Sequence, residues 1–166
     1  MIKVLTSLLF ILCLTGCLEE KDKEEPVYTE KILNQFKTHD FSSFFGSDEL
    51  KFNKDGLGGV LFKIQPLYLT GGTLGSTFKH VGIALFKSHE AALSAVKARR
   101  NNVAAIITKG DHKIKDFDNW WFSESQALLS IVKGNLVFEI SILNKKYSET
   151  EDLLWDTAVS FLDSLK

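Results

Sequence analysis

The residues of this chain that could do chemistry are glycine-rich segments, scattered histidines, hydroxyls beside carboxylates, and two adjacent indoles. Gly56-Leu57-Gly58-Gly59 and Gly71-Gly72-Thr73-Leu74-Gly75-Ser76-Thr77 could let backbone N–H groups approach a phosphate. Neither completes Gly-x-x-x-x-Gly-Lys-Ser/Thr, and neither joins a strand to a helix in a parallel unit, so both read as loops or hairpin turns. The histidines, His39, His80, His89 and His112, contain no i, i+4 pair that would aim two imidazoles at one metal from a helix. His80 falls in an expected strand and reads as packed. His89, in the first turn of a helix, and His112, among lysines, read as facing solvent. Serines are many, but no Gly-x-Ser-x-Gly elbow sets one beside a base. The paired acids Asp116 with Asp118 and Glu149 with Glu151 stand in loops or near a helix start, where carboxylates are solvated or capping. No catalytic set, metal site or cofactor site follows from these patterns.

Trp120 and Trp121, within Asn119-Trp120-Trp121-Phe122, are the most suggestive pair. Large flat rings stack on sugars, lipids or protein partners, which makes both candidates for ligand or partner contact. Packing is the competing role: in a strand Trp120 and Phe122 project to one face and Trp121 to the other, so at least one ring belongs to a core.

The elements that must carry these residues alternate in kind. Thr29 is placed to cap a helix with Ile32, Leu33 and Phe36 on one face, ending near residues 41–43. Residues 60–69 alternate as a strand, with Pro66 arguing for an edge or a bulge. Residues 78–87 are apolar on both faces, which suits a central strand. Ser88 caps a helix from His89 whose Ala92, Ala95 and Val96 form a small-residue face. That periodicity runs on through Val103 and Ile107 to Gly110, or breaks at Asn101-Asn102 into a short strand; the longer helix is the favoured expectation.

The clearest strand signal is residues 127–132 and 136–143 around Lys133-Gly134-Asn135. A two-residue Gly134-Asn135 turn sets Lys133 opposite Leu136, Ile131 opposite Phe138, Leu129 opposite Ile140 and Ala127 opposite Ile142. One face is then apolar along its length, with Ser130, Glu139 and Ser141 on the other. Ser148 and Glu151 read as a capping box for a last helix carrying Leu154, Ala158, Phe161 and Leu165. The expected fold is α+β, a mostly antiparallel sheet with helices packed on it.

The N-terminus has a different character. Lys3 precedes an apolar stretch, residues 4–14, that is shorter than the ~20 residues a membrane-crossing helix needs. It ends in Leu14-Thr15-Gly16-Cys17 and changes abruptly to Glu19-Glu20-Lys21-Asp22-Lys23-Glu24-Glu25, the three-part layout of an export signal. Those four residues resemble the lipobox of bacterial lipoproteins at every position. The resemblance implies cleavage between Gly16 and Cys17, a diacylglyceryl group on the Cys17 sulfur, and acylation, for example by palmitate, of the new amine. It implies a mature protein held to a membrane by lipid and facing away from the cytoplasm. Leu18 in place of Asp after the cysteine implies outer-membrane delivery, facing the periplasm, if the cell has two membranes.

The expected organisation is therefore a signal peptide at 1–16, the lipidated Cys17 with a charged tether to residue 27, and one domain over 28–166. Loss of residues 1–16 removes Lys3 and no acid, moving the formal charge from −1 to −2, which offers nucleic acid nothing. Cys13 would leave with the signal and Cys17 be consumed by lipid, so no thiol remains for a disulfide or a nucleophile.

The stretch from Gly110 through Trp120-Trp121 into Lys133-Gly134-Asn135 resembles extracytoplasmic lipoprotein domains of uncharacterised function, in which a helix precedes an aromatic strand and a Gly-Asn hairpin. That resemblance implies no catalytic residue. The expected role is a binding or interaction module, its partners the membrane through Cys17 and another envelope protein or component. The alternatives are an envelope hydrolase with a site assembled from scattered residues, and a structural accessory subunit of an envelope complex.

Overall fold

The computed structural model describes residues 25–46, 51–53, 66–73, 79–100, 107–109, 117 and 119–165. The expected export signal and Cys17, the glycine-rich segments at 56–59 and 74–77, most of the strand expected over 60–69, His112, Asp116 and Asp118 lie outside them. Among the described residues four helices, α1 (Lys31–Thr38), α2 (Ser42–Phe45), α3 (His89–Arg100) and α4 (Glu151–Leu162), accompany seven strands. The strands are β1 (Lys51–Asn53), β2 (Tyr68–Thr73), β3 (Lys79–Leu85), β4 (Ile107–Lys109), β5 (Trp120–Ser123), β6 (Leu128–Lys133) and β7 (Leu136–Ile142). They form one sheet in the order β1-β2-β3-β7-β6-β5-β4, every neighbouring pair antiparallel. The fold is α+β.

The hairpin of β6 and β7 has the expected register, Lys133 opposite Leu136, Ile131 opposite Phe138 and Leu129 opposite Ile140. It continues to a backbone hydrogen bond from Ile142 N–H to Ala127 O, 3.1 Å. Positive φ occurs at Gly134 (56°) and not at Asn135, as in a II′ turn, whose twist matches that of the strands it joins.

Each face of the sheet has its own helical cover. α1, α2 and α4 bury Phe36, Phe44, Leu154, Trp155 and Phe161 against Val81, Ile83, Leu129, Ile131, Phe138 and Ile140. On the opposite face α3 lays Ala91, Ala92, Ala95 and Val96 on Ala84, Val132 and Val137, its small side chains letting the helix lie close. Ser88 caps α3 as expected, its Oγ accepting from Ala91 N–H at 3.2 Å.

Several local expectations give way to tertiary context. Ile107–Lys109 is a strand paired with β5, so the favoured long helix does not form; residues 101–106 lie outside the described chain. The α1 helix stops at Thr38, and α2 follows separately where a single helix to 41–43 was expected. Thr29 offers no side-chain cap to α1; its carbonyl accepts from Ile32 N–H instead. Gly71 and Gly72, expected in a turn, are strand residues of β2. The capping box is also absent: Thr150 precedes α4, and Ser148 turns away to donate its hydroxyl to the Glu124 carboxylate. Among the described residues no helix is long and apolar enough to cross a membrane.

Candidate functional site

Three places concentrate polar or aromatic chemistry. The first is the aromatic strand. β5 sends Trp120 into the core under α4, where it meets Trp155 edge-on with ring centroids 5.3 Å apart and stacks on Phe122 at 5.9 Å. Trp121 goes into the α3 layer. The two indoles are 3% and 2% exposed, so neither presents a face to a ligand or a partner, and the contact role expected of this pair gives way to packing on both sides of the sheet.

The second is a polar seam on the α3 side. Ser130 Oγ donates to Glu139 Oε1 at 2.8 Å across the β6–β7 pair, and both residues are 1% exposed. Glu139 stands opposite Gly82 of β3, which stands opposite Gly71 of β2. His80, two residues before Gly82, is diagonal to Glu139 on the same face and is also buried. A serine, a carboxylate and an imidazole thus share one face, the elements of an acid–base or nucleophilic set. Their geometry does not make one, since Ser130 is bonded directly to the acid, with no base between, and the group is closed off from solvent. His39 is distant from this seam. It ends α1, packs edge-on against Phe41 and Phe161 at 4.7 and 5.4 Å, and lies 3.3 Å from Ser160 Oγ. Partial burial pushes its pKa below the usual histidine value, against the opposing pull of Asp40.

Glu149 and Glu151, the described pair of candidate acids, are both at the surface near the start of α4. Glu151 accepts from the Tyr147 hydroxyl at 3.3 Å, and that hydroxyl accepts from Trp155 Nε1 at 2.8 Å. Burial, with the neighbouring carboxylates, raises the Tyr147 pKa and keeps the phenol neutral. Comparisons with protein-family models, with curated proteins and with solved structures found no match.

The third place is the sheet end bearing the β6–β7 turn, where residues 26–28 join the domain. The Asn135 carboxamide works as a two-sided clamp on the backbone of Tyr28. Its Oδ1 accepts from Tyr28 N–H at 2.7 Å, and its Nδ2 donates to Tyr28 O at 3.0 Å and to Phe86 O at 2.8 Å. The Asn135 carbonyl in turn accepts from Phe86 N–H at 2.9 Å. This one buried side chain ties a segment 107 positions away to both β3 and the hairpin. Pro26 lies over Gly134 so closely that a Cβ there would overlap the Pro26 carbonyl oxygen, which adds a steric demand for glycine to that of positive φ. The Gly134 carbonyl lies 2.9 Å from His89 Nδ1, so His89 is engaged with the turn where solvent had been expected.

Sequence reasoning took Gly134 and Asn135 for turn residues only. One local signal does bear on the clamp: Gly before Asn implies a II′ turn, in which the asparagine is not needed for positive φ, leaving its carboxamide available for another task.

Proposed function

We propose that this is a lipid-anchored extracytoplasmic protein whose domain acts by contact, as a binding or interaction module held against the membrane. The carrying observation is continuity between motif and fold. Leu14-Thr15-Gly16-Cys17 is followed by a short charged segment, and by Pro26–Tyr28 the chain is built into the domain through Gly134 and Asn135. Nine Cα-to-Cα steps separate Cys17 from Pro26, at most roughly 30 Å when fully extended. Two or three acyl chains hold a protein stably to a bilayer, whereas one does so marginally. A domain so anchored works within reach of that surface.

The anchor is tested by Cys17→Ala in the cell of origin. The expected result is an unprocessed precursor without acyl label; normal maturation and acyl labelling of the variant would overturn the reading. The contact role is tested by affinity purification of the anchored protein from its own envelope, with a specific, stoichiometric companion expected. Turnover of envelope polymer by the purified protein would replace binding with hydrolysis. The Ser130–Glu139 pair with His80 is the observation that favours that second reading, and its burial argues against it.

A further inference from the structure

We infer that the tether end of the sheet is a lipid-contacting surface, with Val27, Leu67 and Tyr68 resting in the headgroup region of the bilayer that holds Cys17. This rests on the lipid-anchor reading. Val27 is 76% exposed, Leu67 60% and Tyr68 38%. Single exposed apolar residues are ordinary on protein surfaces, so exposure alone assigns nothing. Their placement does more. Leu67 N–H donates to Leu85 O where β3 ends, Phe86 is bonded to Asn135, and Asn135 holds Tyr28, the neighbour of Val27. Tyr68 stands opposite Leu85 in the β2–β3 pair, at the same place. The three residues therefore gather at one end of three adjacent strands, β2, β3 and β7, spaced about 5 Å apart.

The occupant follows from where the chain leaves. Pro26 exits over the β6–β7 turn at this same end, with at most roughly 30 Å of chain back to Cys17. β7 has seven residues, so the far end of the sheet, where Leu143 is 48% exposed, is about 24 Å away. To turn that far end to the membrane, the tether would have to run back along the domain and use most of its length doing so. The near end faces the bilayer without that detour.

The chemistry of the near end suits an interface. Two aliphatic side chains and one phenol match the boundary between headgroups and acyl chains, where amphipathic rings collect. Charge there is mixed, Lys31 and Lys87 with Glu25, Glu30 and Glu90, so the contact is apolar and not an attraction to anionic lipid. Tethering supplies a high effective concentration, so a weak contact stays occupied.

The test uses the mature lipidated protein in vesicles of phosphatidylethanolamine and phosphatidylglycerol, spin-labelled through Leu67→Cys or, separately, Leu143→Cys. The expected result is that the Leu67 label favours oxygen dissolved in lipid over an aqueous nickel collider by about threefold or more relative to the Leu143 label, unchanged by high salt. Val27→Glu should return the Leu67 label toward water. Equal, aqueous behaviour of the two labels overturns the surface. Shielding of the Leu67 label from both colliders also overturns it, in favour of a protein occupant such as a second copy. The intact mass of the same sample separates the two levels. Missing acyl chains bring down the anchor reading together with this one, whereas acyl chains present with an aqueous Leu67 label bring down the surface alone.

Discussion

The two faces of the sheet are both buried, but by opposite means. On the α4 side large rings interlock: Phe161 stacks on Phe138 at 5.5 Å and meets Phe36 edge-on at 5.3 Å, while Trp155 meets Trp120. On the α3 side alanines lie flat on Ala84 and Val137, and beyond them the seam of Ser130, Glu139 and His80 is enclosed with its polar groups. The first face stabilises through area and volume. The second trades some of that for closeness and for hydrogen bonds that must be satisfied, because a buried polar group without a partner costs more than a made bond returns.

The contrast can be broken in order of expected effect. Phe161→Ala opens a cavity among fully buried rings and should cost about 3–5 kcal/mol in a denaturant melt. A loss under about 1 kcal/mol would show that this side is not the main source of stability. Ala95→Leu acts on the other face by overfilling a space built for a methyl group. It should cost about 1–3 kcal/mol, while the same enlargement at exposed Ser94 should be near neutral. Ser130→Ala takes one bond from the buried Glu139 and should cost roughly 1–2 kcal/mol in the same denaturant melt. A neutral result would mean that water or another group replaces the hydroxyl.

The smallest effect is a pH dependence on the aromatic side. His39 is harder to protonate in the folded protein than at its ordinary pKa of 6.5, chiefly through burial. The unfolded chain therefore binds the proton first, so this contribution to stability is complete above about 6.5 and declines as pH falls below it toward the lowered folded value. An NMR titration should place the His39 midpoint below 6.5. His39→Gln should flatten the stability profile just below that pH, separately from the acid-side contribution of Asp40, whose pKa is held down by Ser42.

Much of the aromatic face was legible in sequence because its signals are local. The β6–β7 register followed from one turn and one alternation, and the apolar face it implied is the one that Phe138 and Ile140 bring to the core. On the other face, Ser88 capped the helix it preceded, again a local signal. The apolar run of β3 on both faces announced a strand covered on both sides. Expectations failed where distant partners decide. Ile107–Lys109 continues a helical periodicity, yet pairing with β5 offers backbone hydrogen bonds along an edge that a solitary helix turn cannot match. Ser148 and Glu151 have capping-box spacing, but Glu124, 24 positions away, takes the Ser148 hydroxyl. Ser130 and Glu139 could be placed on one face from the hairpin alone; that α3 would cover them could not, because the helix's small-residue face names no target.

The candidate site divides in the same way. Trp120 and Trp121 caught the eye for ring chemistry and proved to be core on opposite faces, the outcome that alternation in a strand allows. The Asn135 clamp went unseen because its partner, the backbone of Tyr28, has no side-chain signature and lies 107 positions away. What the clamp adds is a definite place where the N-terminal segment joins the domain, and the proposed orientation toward a membrane rests on that place.

The most direct test of the account is the mass of the N-terminal peptide of the protein isolated from its own cell envelope. The account requires a chain beginning at Cys17 with a diacylglyceryl group on its sulfur. A peptide that retains residues 1–16, or one that carries Cys17 as a free thiol, would contradict it.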